Sequence, residues 1–155
     1  MKGGGLCEPN RRNEIPADRR AGSDAGAGSK GIEVAITSDY RSSEEQDRLY
    51  RQGRQDPGSI VTNARGGQSY HNFGLAVDFA LRDSRGNIVW DMEMDRNGSG
   101  QSDWMEVVAI AKRLGFDWGG DWNDFPDYPH LQMDMGYTLR QLRHGKYPKG
   151  SALGE

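Results

Sequence analysis

Two of the three histidines in the chain stand near carboxylates in a pattern that could hold a metal ion. His71 lies just before an apolar segment, and Asp78 interrupts that segment. An ionised Asp within an apolar strand is unfavourable unless it is paired or bound to a metal. His130 lies further along, in the stretch Asp127-Tyr128-Pro129-His130. Two imidazoles and one carboxylate make a zinc set that leaves a fourth position for water, so we predict zinc on His71, Asp78 and His130.

Asp127 lies three residues before His130 and is the predicted general base. Zinc lowers the pKa of a bound water toward ~7, and a nearby carboxylate can then accept its proton. The alternative is that His71 and His130 are ordinary surface residues and that Asp78 is an ion-pair partner. Each residue taken alone would favour this alternative, whereas the joint pattern favours a metal site.

A second stretch, residues 95–106, has the spacing of a twelve-residue calcium loop. Oxygen-bearing side chains fall at the ligand positions, a glycine takes the sixth position, and a helix follows. We predict calcium here. The alternative is a polar turn whose Asp103 and Glu106 only cap the helix. The predicted ligands are Asp95, Asn97, Ser99, the backbone carbonyl of Gln101, Asp103 and Glu106.

The elements that must position these residues are strands and helices in mixed order. Alternation at period two predicts a strand at 32–37, and residues 75–81 and 88–90 read as a hairpin. Helices are predicted at 42–52 and 103–114, each starting with the spacing of a capping box. Residues 116–134 are rich in aromatic residues, Gly, Asp and Pro, which is typical of short strands and loops that form a site wall. A short helix is predicted after residue 137.

Composition limits the function classes. A chain of 155 residues is the size of one domain, and a low apolar content with 22 glycines favours the α+β class. A net charge of −3 gives no strong attraction to nucleic acid, and no segment has the apolar length of a membrane span. The single cysteine excludes an internal disulfide and a thiolate zinc site. No apolar segment of a signal peptide is visible, so the export route is open.

We expect three regions: a poorly ordered segment at 1–30, a catalytic domain at 31–148 and a loose tail at 149–155. We expect the chain to act as a monomer. The aromatic residues Trp118, Trp122 and Phe125 could line a groove or pack in the core. Asp121 could orient a zinc ligand.

The pattern Ser69-x-His71-x-x-Gly74-x-Ala76-x-Asp78, followed by Asp127-x-x-His130, resembles the signature of the LAS-type metallopeptidases. This group includes D-Ala-D-Ala carboxypeptidases and dipeptidases, and the L-alanyl-D-glutamate endopeptidases of bacilli and phages. The resemblance covers about residues 31–148 and is closest to the endopeptidase branch. It implies a small antiparallel sheet with flanking helices, as in hedgehog and the D-Ala-D-Ala peptidases. It also implies that Arg41 stabilises the oxyanion.

The resemblance implies a zinc endopeptidase that hydrolyses the L-Ala–D-Glu bond of the stem peptide at the bacterial cell wall. A D-Ala-D-Ala carboxypeptidase is the alternative on the same site, because specificity depends on pocket shape. A non-catalytic cell-wall or calcium-binding module is a third reading. The presence of both a metal triad and a base argues against that third reading.

Overall fold

The computed structural model describes residues 30–148; the predicted poorly ordered segment, apart from Lys30, and the predicted tail lie outside the described residues. The described chain is an α+β fold, as predicted. Its strands are β1 (Val34–Ser38), β2 (Ala76–Arg82), β3 (Ile88–Val89), β4 (Asp117–Trp118) and β5 (His130–Gln132). Its helices are α1 (Ser43–Arg51), α2 (Asp103–Arg113) and α3 (Leu139–Arg143).

Helix α1 begins with the predicted capping box. The hydroxyl of Ser42 accepts from the backbone N–H of Glu45 at 3.1 Å, and the Glu45 carboxylate accepts from the Ser42 N–H at 2.8 Å. Both interactions satisfy N–H groups that the helix leaves unpaired. One turn in, the buried Gln46 donates to the carbonyl of Ala64 at 2.8 Å, so the helix holds the loop that follows it.

Helix α2 begins differently from the prediction. Ser102 is the N-cap, because its hydroxyl accepts from the N–H of Met105 at 3.3 Å. The predicted capping box between Asp103 and Glu106 is therefore wrong. Serine is as good an N-cap as aspartate, so the sequence offered two adjacent candidates of similar strength. The carboxylates of Asp103 and Glu106 are both buried within the first turn of the helix.

Strand β2 lies at the centre of a five-stranded sheet in which every pairing is antiparallel. The order is β1-β2-β5-β4, and β3 pairs with the end of β2. Because side chains alternate along a strand, Val77, Phe79 and Leu81 enter the core while Asp78 points to the opposite face. The sheet thus separates an apolar core from a polar face.

The core is made by α2 packing across the apolar face of the sheet. The helix contributes Trp104, Val107 and Val108, all about 1% exposed, and the Phe79 and Trp104 rings lie 4.5 Å apart. Leu131 of β5 joins the same cluster. Within residues 30–148, no helix combines the length and the apolar character needed to cross a bilayer.

Phe79→Ala should lower the free energy of unfolding by about 3–5 kcal/mol, because it opens a cavity in a core that cannot collapse around it. Phe79 has no exposed surface. Ile88→Ala, on a side chain that is 41% exposed, is the control and should cost less than about 1 kcal/mol. Urea unfolding followed by circular dichroism measures both. Equal losses would contradict the assignment of Phe79 to the core.

Candidate metal centre

The pairing of β2 with β5 brings two of the predicted ligands together. Asp78 and His130 are direct cross-strand partners, so their side chains leave the sheet on the same face. His71 arrives from a single 3-10 turn, Tyr70–Phe73, which ends at Gly74 with a φ of +67°. Glycine adopts this left-handed conformation at no steric cost, and the chain therefore turns directly from His71 into β2.

The three side chains form a small triangle of nitrogen and oxygen atoms. His71 Nε2 lies 3.1 Å from Asp78 Oδ1 and 3.2 Å from His130 Nδ1. His130 Nδ1 lies 3.4 Å from Asp78 Oδ1. Zinc bonds of about 2.0–2.1 Å in a tetrahedron place ligand atoms about 3.3–3.4 Å apart. The donor set and its spacing therefore fit zinc.

The ring nitrogens that point away from the cluster show which tautomer each histidine adopts. His71 Nδ1 lies 2.6 Å from the carbonyl oxygen of Asp39, which can only accept, so Nδ1 carries the proton. His130 Nε2 lies 2.9 Å from Gln132 Oε1 and donates to it in the same way. Neutral His71 and His130 would therefore direct lone pairs at each other and at the Asp78 carboxylate. A positive charge at their centre, a proton or a metal ion, is needed to hold them together.

The pKa values of Asp78 and His130 are both shifted in the direction that favours positive charge at this centre. Burial alone would raise the pKa of Asp78, but hydrogen bonds from His130 and His71 outweigh it and hold that pKa well below its usual range. Burial alone would lower the pKa of His130, but hydrogen bonds to Asp78 and Gln132 outweigh it and raise that pKa. The cluster therefore favours an ionised carboxylate beside a cation.

Arg41 is fixed beside this cluster by three side chains. Its guanidinium donates to Gln46 Oε1 at 2.9 Å and to Ser38 Oγ at 3.0 Å, and lies 3.4 Å from Asp78 Oδ2. Its backbone N–H donates to the His71 carbonyl at 3.0 Å. The predicted site residue Arg41 is thus held against the same carboxylate as the histidines, with its side chain lining the groove described below.

Asp127 stands near the cluster on the turn that leads into β5. Its N–H donates to the carbonyl of Gly119 at 3.0 Å, and its own carbonyl accepts from His130 N at 3.2 Å. A side chain at position 119 would collide with the Asp127 carbonyl, so this close approach requires glycine. Burial raises the pKa of the Asp127 carboxyl, and the negative charge of Asp78 acts in the same direction.

A groove with a volume of about 710 Å³ contains all five predicted zinc-site residues. Trp122 and Phe125 form part of its wall and remain 38% and 39% exposed. Trp118 is buried instead, and its indole N–H donates to the Tyr128 carbonyl at 2.7 Å. Asp121 does not orient a ligand as predicted, because it forms a surface ion pair with Lys112 at 2.6 Å.

The groups that orient the two histidines and Arg41 were not predicted from the sequence. Gln132 lies two residues after His130 in the same strand, so both side chains share a face. This two-residue spacing could have indicated that Gln132 contacts His130. The Asp39 carbonyl and the buried Gln46 left no such signal, because a backbone oxygen has no sequence signature and Gln46 lies on a helix face that also carries apolar residues.

The predicted calcium loop lies apart from this groove, since none of its six predicted ligand residues lines it. The loop folds on itself through its own side chains. Asp95 accepts from the N–H groups of Ser99 and Gly100 at 3.1 and 2.9 Å, and Ser99 Oγ contacts Glu106. The structure thus gathers part of the predicted ligand set and leaves the calcium assignment a prediction.

Comparison with known proteins finds peptidases that are similar to this chain. Residues 62–133 match a family described as D-alanyl-D-alanine carboxypeptidase. The chain is 64% identical over 109 residues to the peptidoglycan L-alanyl-D-glutamate endopeptidase CwlK of Bacillus subtilis (strain 168), covering 70% of this chain and 65% of that protein. It is 38% identical over 125 residues to the L-alanyl-D-glutamate peptidase of Listeria phage A118, covering 80% of this chain and 39% of that protein.

A solved structure shows the same fold. The L-Ala D-Glu endopeptidase ChiX of Serratia marcescens superposes with a TM-score of 0.54 at 21% identity, covering 86% of each chain. The chain spans less than two thirds of the length of both curated relatives. The solved structure therefore shows the fold, and the family and the activity have to be argued from the site.

Gln132→Leu should weaken metal binding about 10- to 100-fold, because the ring N–H of His130 loses its acceptor and the tautomer with a free Nδ1 lone pair is no longer favoured. Gln132→Glu is the matched control, since a carboxylate also accepts from Nε2, and it should bind at least as tightly as the parent. Competition with a chromophoric zinc chelator measures both affinities. Equal affinity of Gln132→Leu and the parent would contradict the orienting role.

Proposed function

We propose that this chain belongs to the LAS-type metallopeptidases and is a zinc-dependent peptidoglycan endopeptidase that hydrolyses the L-Ala–D-Glu bond of the stem peptide. The observation that carries the proposal is the convergence of His71, Asp78 and His130 in a groove that also contains Arg41 and Asp127. The L-alanyl-D-glutamate specificity of the two curated relatives supports the choice of bond.

Zinc would be held by His71 Nε2, Asp78 Oδ1 and His130 Nδ1, the atoms that already form the triangle. When bound, zinc supplies Lewis acidity and lowers the pKa of water toward ~7. Three protein ligands leave a coordination position for water or substrate. No other group of His, Cys, Asp or Glu in residues 30–148 offers a comparable cluster.

Asp127 would move the proton. It accepts a proton from the attacking water, whose oxygen forms the new bond to the alanyl carbonyl carbon. As the C–N bond breaks, Asp127 returns that proton to the departing D-Glu nitrogen. A carboxylate that must both accept and return a proton works best when its pKa is raised toward the working pH. Burial shifts the pKa of Asp127 in this direction.

Arg41 would bind the scissile carbonyl oxygen. Its guanidinium is locked by Gln46 and Ser38, so the group needs little reorganisation when negative charge develops on the substrate oxygen. The contact with Asp78 also leaves the arginine adjacent to the metal ligands rather than directed to solvent.

This substrate implies that the protein acts at the bacterial cell wall. Residues 31–148 would form the catalytic domain, and the peptidoglycan stem peptide would be its partner.

The second candidate is a D-Ala-D-Ala carboxypeptidase, which the description of the matching family favours. The calcium predicted at residues 95–106 is likewise a proposal and has no part in this reaction, because those residues lie outside the groove.

Digestion of purified peptidoglycan should produce fragments with new L-Ala C-termini and D-Glu N-termini, identified by mass spectrometry. Release of free D-Ala would instead establish the carboxypeptidase.

Asp127→Asn should retain zinc and its fold while its rate of peptide hydrolysis falls about 10²–10⁴-fold, because the amide cannot accept the proton. Near-normal turnover by Asp127→Asn would move the base to another residue.

The purified protein should contain about one zinc per chain, and a chelator should remove its activity. Asp78→Asn should lose most of the metal, because a neutral amide cannot balance the cation between two imidazoles. His144→Ala is the control, since that histidine is exposed on the turn after α3 and should leave zinc unchanged. Elemental analysis of the parent and of the two variants measures the zinc content of each protein. Full zinc in Asp78→Asn would contradict the ligand set.

A further inference from the structure

One wall of the groove is the chain segment 61–64, which follows α1 in the sequence. The segment is held from two sides. On the buried side, Gln46 of α1 donates to Thr62 Oγ1 at 3.3 Å and to the Ala64 carbonyl at 2.8 Å. On the exposed side, the guanidinium of Arg54 donates to the Thr62 carbonyl at 3.0 Å. The side chains that this segment presents to the groove are therefore fixed from outside the groove.

Arg54 determines which way the side-chain amide of Asn63 is turned. Its guanidinium carbon lies 4.0 Å from the centre of the Tyr50 ring, and its Nη1 donates to the Tyr50 carbonyl at 2.7 Å. Its Nη2 donates to Asn63 Oδ1 at 2.8 Å. A guanidinium has only donors, so it requires the oxygen of the amide and not the nitrogen. Asn63 lines the groove, and its Nδ2 is thus the end that remains for a ligand.

Thr62 is restricted to the same role by a different set of bonds. Its hydroxyl oxygen accepts from Gln46 Nε2 at 3.3 Å and from the N–H of Ala64 at 3.1 Å. A hydroxyl oxygen has two lone pairs, so only its O–H proton is left to form a further hydrogen bond. Within residues 30–148, no acceptor meets this proton or Asn63 Nδ2. Thr62 and Asn63, the donor pair, therefore offer the groove donors alone.

A carboxylate is the chemical group that matches such a pair. An ionised carboxylate only accepts, and hydrogen bonds to a charged acceptor are roughly twice as strong as those between neutral groups. A carboxamide would turn some of its own N–H groups toward donors. Among the described residues that line the groove, Arg41 is the only lysine or arginine, and its guanidinium faces Asp78 and the metal ligands. A second negative group in the groove would therefore depend on the donor pair.

We propose that Thr62 and Asn63 bind the α-carboxylate of the D-Glu residue of the substrate, and that Arg54 positions the Asn63 amide for this contact. This inference rests on the proposed function. In the stem peptide, the nitrogen of the scissile bond is attached to the carbon that carries this carboxylate. The peptide continues through the γ-carboxyl group, so the α-carboxylate stays free. The donor pair thus selects stem peptides with a free carboxylate over those in which it is amidated.

The test uses the zinc-loaded full chain and two synthetic stem-peptide fragments that differ only at D-Glu. One carries the free α-carboxylate and the other the α-carboxamide. KM for the carboxylate fragment should be at least about tenfold lower, the effect of one hydrogen bond to a charged group. The ratio of the two KM values, called the carboxylate preference, is the readout, because a general disturbance of the groove affects both fragments.

Asn63→Asp should reverse the carboxylate preference. One carboxylate oxygen of the new side chain still accepts from Arg54, while the other replaces the amide nitrogen. That oxygen repels a substrate carboxylate and accepts from a substrate carboxamide. Asn63→Ala should lower the preference without reversing it, since it removes the donor and adds no charge. Circular dichroism confirms that both variants are folded.

Arg54→Met should lower the carboxylate preference about two- to tenfold, because the amide of Asn63 is no longer held by its oxygen. Arg51→Met is the matched control. Arg51 also stands at the end of α1, and its Nε donates to Asp56 Oδ2 at 3.3 Å, but neither residue lines the groove. This control removes the same charge and should leave the preference unchanged.

The outcome is separable from that of the proposed function. If neither fragment is hydrolysed, the proposed function fails, and the two affinities are compared at equilibrium through tryptophan fluorescence, since Trp122 lies in the groove wall. Three results would overturn the present proposal. They are equal or absent binding of the two fragments by the parent, an unchanged preference in Asn63→Asp, and the same preference in Arg54→Met as in Arg51→Met.

Discussion

The imidazole nitrogens of His71 and His130 and the carboxylate of Asp78 face one another within 3.4 Å, and such a group is stable only around a positive charge. The register between β2 and β5 fixes two of these groups opposite each other, and the turn that ends at Gly74 brings in the third. The Asp39 carbonyl and Gln132 hold the outer nitrogens, so the inner ones are left free to accept. Sheet, turn and hydrogen bonds thus serve one electrostatic requirement.

Charged groups of both signs surround this centre. Arg41 lies beside the Asp78 carboxylate. Burial raises the pKa of the Asp127 carboxyl, and the negative charge of Asp78 acts in the same direction. Helix α1 contributes to this balance through Gln46, which is buried and hydrogen-bonded to both Arg41 and the loop carbonyl of Ala64. A residue that is hydrogen-bonded to none of the predicted metal ligands therefore fixes the position of the cationic group that would meet the substrate.

Much of the fold was predictable because its signals are local. The period-two pattern of β1 and the capping box of α1 involve neighbours in sequence, and both are confirmed. The N-cap of α2 was misassigned by one residue because Ser102 and Asp103 are both good caps and only the folded backbone chooses between them. Strand β5 has three residues, too few for a periodic signal. The cross-strand partnership of Asp78 and His130 could not be read from it, although the residues themselves could be selected by type and spacing.

The use of different ring nitrogens by the two histidines has a mechanical consequence. Nδ1 is bonded to the ring carbon that joins the side chain, whereas Nε2 lies on the far side of the ring, so His130 is a short arm and His71 a long one. His130 and Asp78 stand opposite each other on two adjacent strands of one sheet, and together they form a rigid base. The long arm stands on a turn of four residues outside the sheet. Small displacements of that turn change the two distances that involve His71 Nε2 and leave the distance between His130 Nδ1 and Asp78 Oδ1 unchanged. The geometry of the centre is therefore adjusted from the His71 side, while the sheet keeps the other two ligands in register.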